Sequence, residues 1–131
     1  MSVDEVVRWF HLLAAAVWIG GTITVASIVP VLRRAGTPIE QVRAVARRFG
    51  VVAWSALTVS VTTGIVQLDR LDVNLKGNTA LAIKLTLVGL AAALAWIHQM
   101  VAKSSSAAVR GMMEGLLLLI GLAILAAAVA I

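Results

Sequence analysis

The apolar positions of this chain fall into four long blocks separated by short polar stretches. A run of about 20 apolar residues is the length a helix needs to cross the hydrocarbon core of a bilayer. The pattern predicts four such spans, at about residues 6–32, 49–68, 79–102 and 111–131. Between them lie RRAGTPIEQVRAVARR, DRLDVNLKGN and KSSSAAVR, in which Pro38, Gly77 and Asn78 are the punctuation expected between helices. The expected architecture is therefore all-α: an integral membrane four-helix transmembrane bundle, with residues 1–131 forming a single transmembrane domain. The leading segment MSVDEVVR is not basic, and the apolar run after it is longer than a signal-peptide core, so the first span is expected to be a retained helix.

Composition agrees with the pattern. Of 131 residues, 61% are hydrophobic and 13% charged, well outside the balance of a soluble domain. Cysteine is absent, which excludes disulfides, thiolate metal sites and cysteine nucleophiles. The net charge of +5 does not point to nucleic acid, because the positive residues cluster in one short loop between two apolar segments. The first and third connections carry Arg33, Arg34, Arg43, Arg47, Arg48, Lys103 and Arg110 against one acid, Glu40. The second balances Asp69 and Asp72 with Arg70 and Lys76. By the positive-inside rule the first and third connections face the cytoplasm, and both termini face out. The expected location is the cytoplasmic (inner) membrane.

Orientation then ranks the polar residues by depth, at about 1.5 Å of rise per helical residue. With Trp18, Ala91 and Gly121 as span midpoints, His11 and Lys84 lie seven residues to the outer side, and His98 and Glu114 the same number to the inner side. The two imidazoles are thereby separated by roughly 20 Å in depth, which disfavours a haem held by both. Seven residues is almost two helical turns, so His11 shares a face with Trp18, Lys84 with Ala91 and His98, and Glu114 with Gly121. Ionisable groups within spans generally face the bundle interior. Ser55, Thr58 and Thr62 form a weakly polar stripe on the second span. Gly20, Gly21, Gly64, Gly89 and the GMMEG around Glu114 offer small surfaces for helix approach. Trp9 and Trp96 suit the membrane interfaces, while Trp18 and Trp54 lie deeper.

Each polar residue has a plain reading beside a chemical one. Lys84 has the length to snorkel to the outer headgroups, and His98, near Gln99 and Lys103, has the position of an interfacial histidine. Glu114 follows Arg110 by four residues, the spacing of an intrahelical ion pair, and is equally placed to neutralise His98 or hold a cation. The imidazole of His11 is too short to snorkel, so it needs either a partner on a neighbouring helix or a role as ligand or proton carrier. Met100, Met112 and Met113 fall with His98 at the cytoplasmic ends of spans three and four. Thioethers with imidazole suit Cu(I), although methionines at span ends also serve as simple hydrophobic filling.

The stretch FHLLAAAVWIGG…VPVLRR, followed by VRAVARRFGVVAWSAL and TGI, resembles the membrane domain of the CopD (copper-resistance D) family over essentially the whole chain. That resemblance implies copper uptake or homeostasis in the cytoplasmic membrane; for such transport the residues themselves offer His98, Met100 and Met112 or Met113 as inner-side Cu(I) ligands. The first-span histidine, the KL…H pattern of the third span and the Arg…Glu opening of the fourth also look like HemJ, the haem-binding protoporphyrinogen oxidase family. That likeness implies haem b bound through His11, with Lys84 as a propionate partner or second ligand, and Glu114 matching the acid of an Asn-Glu-Pro segment. In this chain the segment reads Met113-Glu114-Gly115. A third reading is an accessory subunit of a larger membrane complex, and the little room that four helices leave for a private pathway points to a homo-oligomer. The partners expected are thus the lipid bilayer and a second copy or a larger assembly, and no nucleic acid.

Overall fold

A computed structural model describes residues 1–70 and 74–130. Asp72, part of the charge balance of the second connection, and Ile131, the expected end of the fourth span, lie outside the described residues. The described chain is four helices: α1 (Val3–Arg34), α2 (Ile39–Arg70), α3 (Thr79–Val101) and α4 (Ala107–Ala130). The all-α class expected from the apolar blocks is what the structure shows, and each helix is long and apolar enough to cross a membrane. The chain is a multi-pass membrane protein by that measure. α1 pairs with α2 and α3 with α4, giving two compact helical hairpins.

The helix ends follow from local chemistry. Ser2 and Glu5 form a reciprocal capping box, the Ser2 amide donating to the Glu5 carboxylate at 2.7 Å and the Glu5 amide to Ser2 Oγ at 3.3 Å. α1 accordingly starts three residues before its apolar run. At the other end Gly36 adopts φ +75°, and Thr37 and Gly36 donate their amides to the carbonyls of Leu32 and Arg33 at 3.1 and 3.2 Å. This is a Schellman stop, in which the residue at positive φ is glycine because a side chain there is strained. Pro38 follows, and α2 begins immediately after it.

Here the structure corrects a boundary. The arginine-rich stretch 33–48 is expected as a connection, yet only residues 35–38 are non-helical, and α2 runs ten residues further toward its N-terminus than the apolar span. The reason is that hydropathy marks where lipid begins, whereas helix formation needs only good formers and something to pack on. Glu40 sits in the favourable first turn, Gln, Ala and Arg propagate well, and Val42, 3% exposed, is buried against α1. In the second hairpin, Asn78 caps α3 by accepting from the Leu81 amide at 3.0 Å, just after Gly77 at φ +100°. Ser106 likewise accepts from the Val109 amide at 3.2 Å to start α4.

Burial follows a seam on each helix. On α1 the inward positions include Val7, His11, Ala14, Trp18 and Val29, and on α2 Val42, Ala56, Ser60, Thr63 and Gln67. These spacings alternate three and four, the pattern of helices packed almost antiparallel. On α3 Leu81 and Ala91 are buried and Lys84 and His98 partly so, and on α4 Met113, Gly121 and Ile124 are buried. No described polar or charged residue is fully buried, and long rows of leucine, isoleucine and valine remain exposed on all four helices. An apolar surface of that extent suits a lipid solvent.

Two of the glycines expected to admit a neighbour do so. A Cβ on Gly21 would sit 2.8 Å from the Phe49 ring, and one on Gly64 would sit 3.4 Å from His11. Nothing described lies within 4 Å of a Cβ built at Gly20, Gly89, Gly111 or Gly115, so the GMMEG glycines do not mediate the α3–α4 contact. Gly21→Val is expected to push Phe49 aside and destabilise the first hairpin by about 1–3 kcal/mol. Gly20→Ala, in open space, is expected to leave it unchanged or slightly more stable. Thermal unfolding of the detergent-solubilised protein compares the two.

Candidate functional site

The first hairpin brings His11 against α2. Its Nδ1 lies 2.9 Å from the Ser60 carbonyl and 3.1 Å from Thr63 Oγ1. A carbonyl can only accept, so Nδ1 carries the proton and donates it. The Thr63 hydroxyl spends its own proton on the Val59 carbonyl at 2.6 Å, which leaves its oxygen as a second acceptor for the same imidazole. In the neutral ring the lone pair is then on Nε2. Gly64, one helical turn from Ser60, gives the ring its space. Gln67 continues this face one turn further, its side-chain amide donating to the Thr63 carbonyl at 3.3 Å. Asp4 and Arg70 form an ion pair between the N-terminal end of α1 and the C-terminal end of α2, beside a shallow surface cleft that Glu5, Arg8 and Gln67 also line.

The polar stripe expected on the second span is thus displaced. Ser55, Thr58 and Thr62 are on the exposed side of α2. Ser55 and Thr58 return their hydroxyl protons to carbonyls of their own helix, Val51 at 2.8 Å and Trp54 at 2.8 Å. The residues that meet His11 are Ser60 and Thr63, with Gly64 and Gln67 beside them. The sequence carries a signal for this set: 60, 63, 64 and 67 lie on one helical face, and that face includes the glycine a bulky ring requires.

In the second hairpin His98 and Glu114 meet. His98 Nε2 lies 3.8 Å from Glu114 Oε1, with both side chains partly buried. His98 Nδ1 is buried with no hydrogen-bond partner among the described residues, and so is Arg110 Nε. Arg110 and Glu114, spaced as an intrahelical pair, are not joined. Arg110 instead donates to the Ala102 and Ser105 carbonyls at 3.0 and 3.1 Å, covering acceptors that the end of α3 leaves open. Glu114 is thereby left to His98.

The four expected copper ligands separate by face. Met113 is buried (8% exposed), and Glu114, next to it on α4, is partly buried. Met100 and Met112 are 69% and 67% exposed on the outer faces of their helices. Two residues along a helix do not share a side, which is why Met100 cannot follow His98 inward. Lys84, two turns and then two more from His98 on the same α3 face, is partly buried. Among the described residues no three His, Asp or Glu side chains gather as a cation cage.

Comparison of the chain with protein-family models, curated proteins and solved structures finds no match. The site's chemistry therefore stands on its own geometry. Thr63→Val removes one of two acceptors for His11 and is expected to cost no more than about 1 kcal/mol. Gly64→Leu fills the ring's space, and 1–3 kcal/mol of lost stability is expected, roughly as for other overpacked contacts. Thermal unfolding of the two variants in the same detergent measures the difference.

Proposed function

We propose that this chain handles copper at the membrane, with the metal as cargo and His98 and Met113 as its inward ligands. The observation that supports the reading is that, of the four expected inner-side ligands, Met113 is buried and His98 is partly buried with Glu114 3.8 Å from its imidazole, whereas Met100 and Met112 are exposed. One imidazole nitrogen, one thioether and one carboxylate form a donor set suited to copper rather than to a hard cation such as Mg²⁺. The buried, unpartnered Nδ1 of His98 gives a second nitrogen whose hydrogen-bonding capacity is unspent. The resemblance of the first two spans to CopD supports the same reading. Met100 and Met112, facing outward, are not part of this site.

In this reading the chain lies in the cytoplasmic membrane with both termini outside and the arginine-rich turn inside, following the charge asymmetry. Because the chain has no cysteine, single introduced cysteines report orientation cleanly. A membrane-impermeant maleimide is expected to label Ser2→Cys on intact cells and Ser104→Cys only after permeabilisation. The opposite pattern overturns the orientation. For the metal, His98→Ala and Met113→Leu are each expected to lower Cu(I) retention by the purified protein at least tenfold, while Met100→Leu and Met112→Leu leave it unchanged. Equal retention in all four variants overturns the copper site.

A second reading, haem b held by His11, has its own supporting observation. A ligating histidine generally donates its other ring N–H to a carbonyl or carboxylate, which fixes the tautomer and the ring plane. The Nδ1–H of His11, held by the Ser60 carbonyl and Thr63, has that arrangement. The group would supply redox chemistry when bound, and His11 would orient it. Lys84 belongs to the other hairpin, so this reading rests on His11 alone. A Soret band in purified protein that vanishes in His11→Ala supports it, and its absence from protein expressed with added haem removes it.

A further inference from the structure

The two helices of the first hairpin do not change from apolar to charged at the same height. Contacts fix their register: His11 lies against Ser60 and Thr63, and Gly21 against Phe49. In an antiparallel pair each step along α1 is matched by a step back along α2. Beyond Gly21, α2 therefore presents Arg48, Arg47 and Arg43 beside the stretch of α1 from about Ile23 to Ile28. At that height α1 still exposes two isoleucines, Ile23 at 42% and Ile28 at 47%, and carries no charge. The three arginines are exposed as well. Val42, buried against α1, holds this part of α2 as packed helix, so the arginines stand on a firm surface rather than on a loose loop. Arg33 and Arg34 add charge at the last turn of α1, and the only carboxylate nearby in sequence, Glu40, is engaged by Arg43 at 3.3 Å.

An end that is apolar on one helix and cationic on the other at the same height fits one kind of surroundings. Water does not suit the exposed isoleucines, and hydrocarbon alone does not suit the guanidinium groups. The boundary between acyl chains and phosphates suits both, since arginine can lay its stem along apolar surface and reach a phosphate with its planar fork. We propose that this end of the first hairpin binds anionic phospholipids, with Arg43, Arg47 and Arg48 on the phosphates and Ile23 and Ile28 against the acyl chains. This binding does not depend on the copper site proposed for the second hairpin.

The test is native mass spectrometry of the full chain released from detergent after incubation with phosphatidylglycerol or phosphatidylcholine. The wild type is expected to retain phosphatidylglycerol in preference, with retention falling as NaCl rises. R43Q, R47Q and R48Q together are expected to weaken it roughly 100-fold, at about fivefold per arginine. The triple lysine variant keeps the charge and is expected to retain most of the preference, and K103Q all of it. Should the triple glutamine variant fail to fold, the salt dependence of the wild type and the R43Q/R47Q pair decide. Equal retention of both lipids, insensitivity to salt, or full displacement of phosphatidylglycerol by millimolar inorganic phosphate overturns the proposal. So does a copurifying protein that the substitutions release while lipid retention stays unchanged.

Discussion

Hydrocarbon offers no hydrogen bonds, and this one constraint accounts for more of the molecule than any other. Along the spans, hydroxyl groups turn back onto their own helices: Thr22 onto the Trp18 carbonyl, Ser27 onto Ile23, Thr58 onto Trp54 and Thr86 onto Ala82, all within 2.9 Å. Each side chain is thereby satisfied without a neighbour, and its exterior stays apolar. Imidazole cannot do the same, since it is rigid and its nitrogens point away from its own backbone. His11 therefore needs the opposite helix, and α2 meets it with a carbonyl, a hydroxyl and a glycine within two turns.

The two hairpins treat their histidines differently. In the first, the ring is held by acceptors that fix one tautomer. In the second, His98 has a carboxylate at ion-pair distance on one nitrogen and no hydrogen-bond partner on the other among the described residues. The contrast is between a ring whose orientation is already determined and one whose bonding is incomplete. A group of the first kind is suited to holding a ligand in a fixed plane, and one of the second to exchanging protons or metal ions. The copper and haem readings divide along that line.

Much of the fold was legible because lipid sorts residues so strongly. The four apolar blocks became four helices, and the face relation of Lys84, Ala91 and His98 survived because seven residues return a helix to nearly the same side. The helix ends were less legible from hydropathy, which cannot see that Ile39–Arg48 is helical while polar, although the capping box at Ser2 and the glycine before Thr37 were present as local signals. The site was legible in part. His11 stood out, but its partners did not, because Ser60 and Thr63 differ from Ser55 and Thr58 only in the face they occupy. The copper set failed to converge for the same reason: proximity in sequence placed Met100 beside His98, and helical geometry turned it away.

The central claim is that a backbone carbonyl and a hydroxyl of α2 fix the tautomer of His11. Solid-state nitrogen-15 spectroscopy of metal-free protein in lipid bilayers, labelled at its two histidines and compared with His98→Ala for assignment, measures this directly. The account predicts a proton on His11 Nδ1, shifted as for a hydrogen-bonded N–H. A ring protonated on Nε2 with a bare Nδ1 would contradict it.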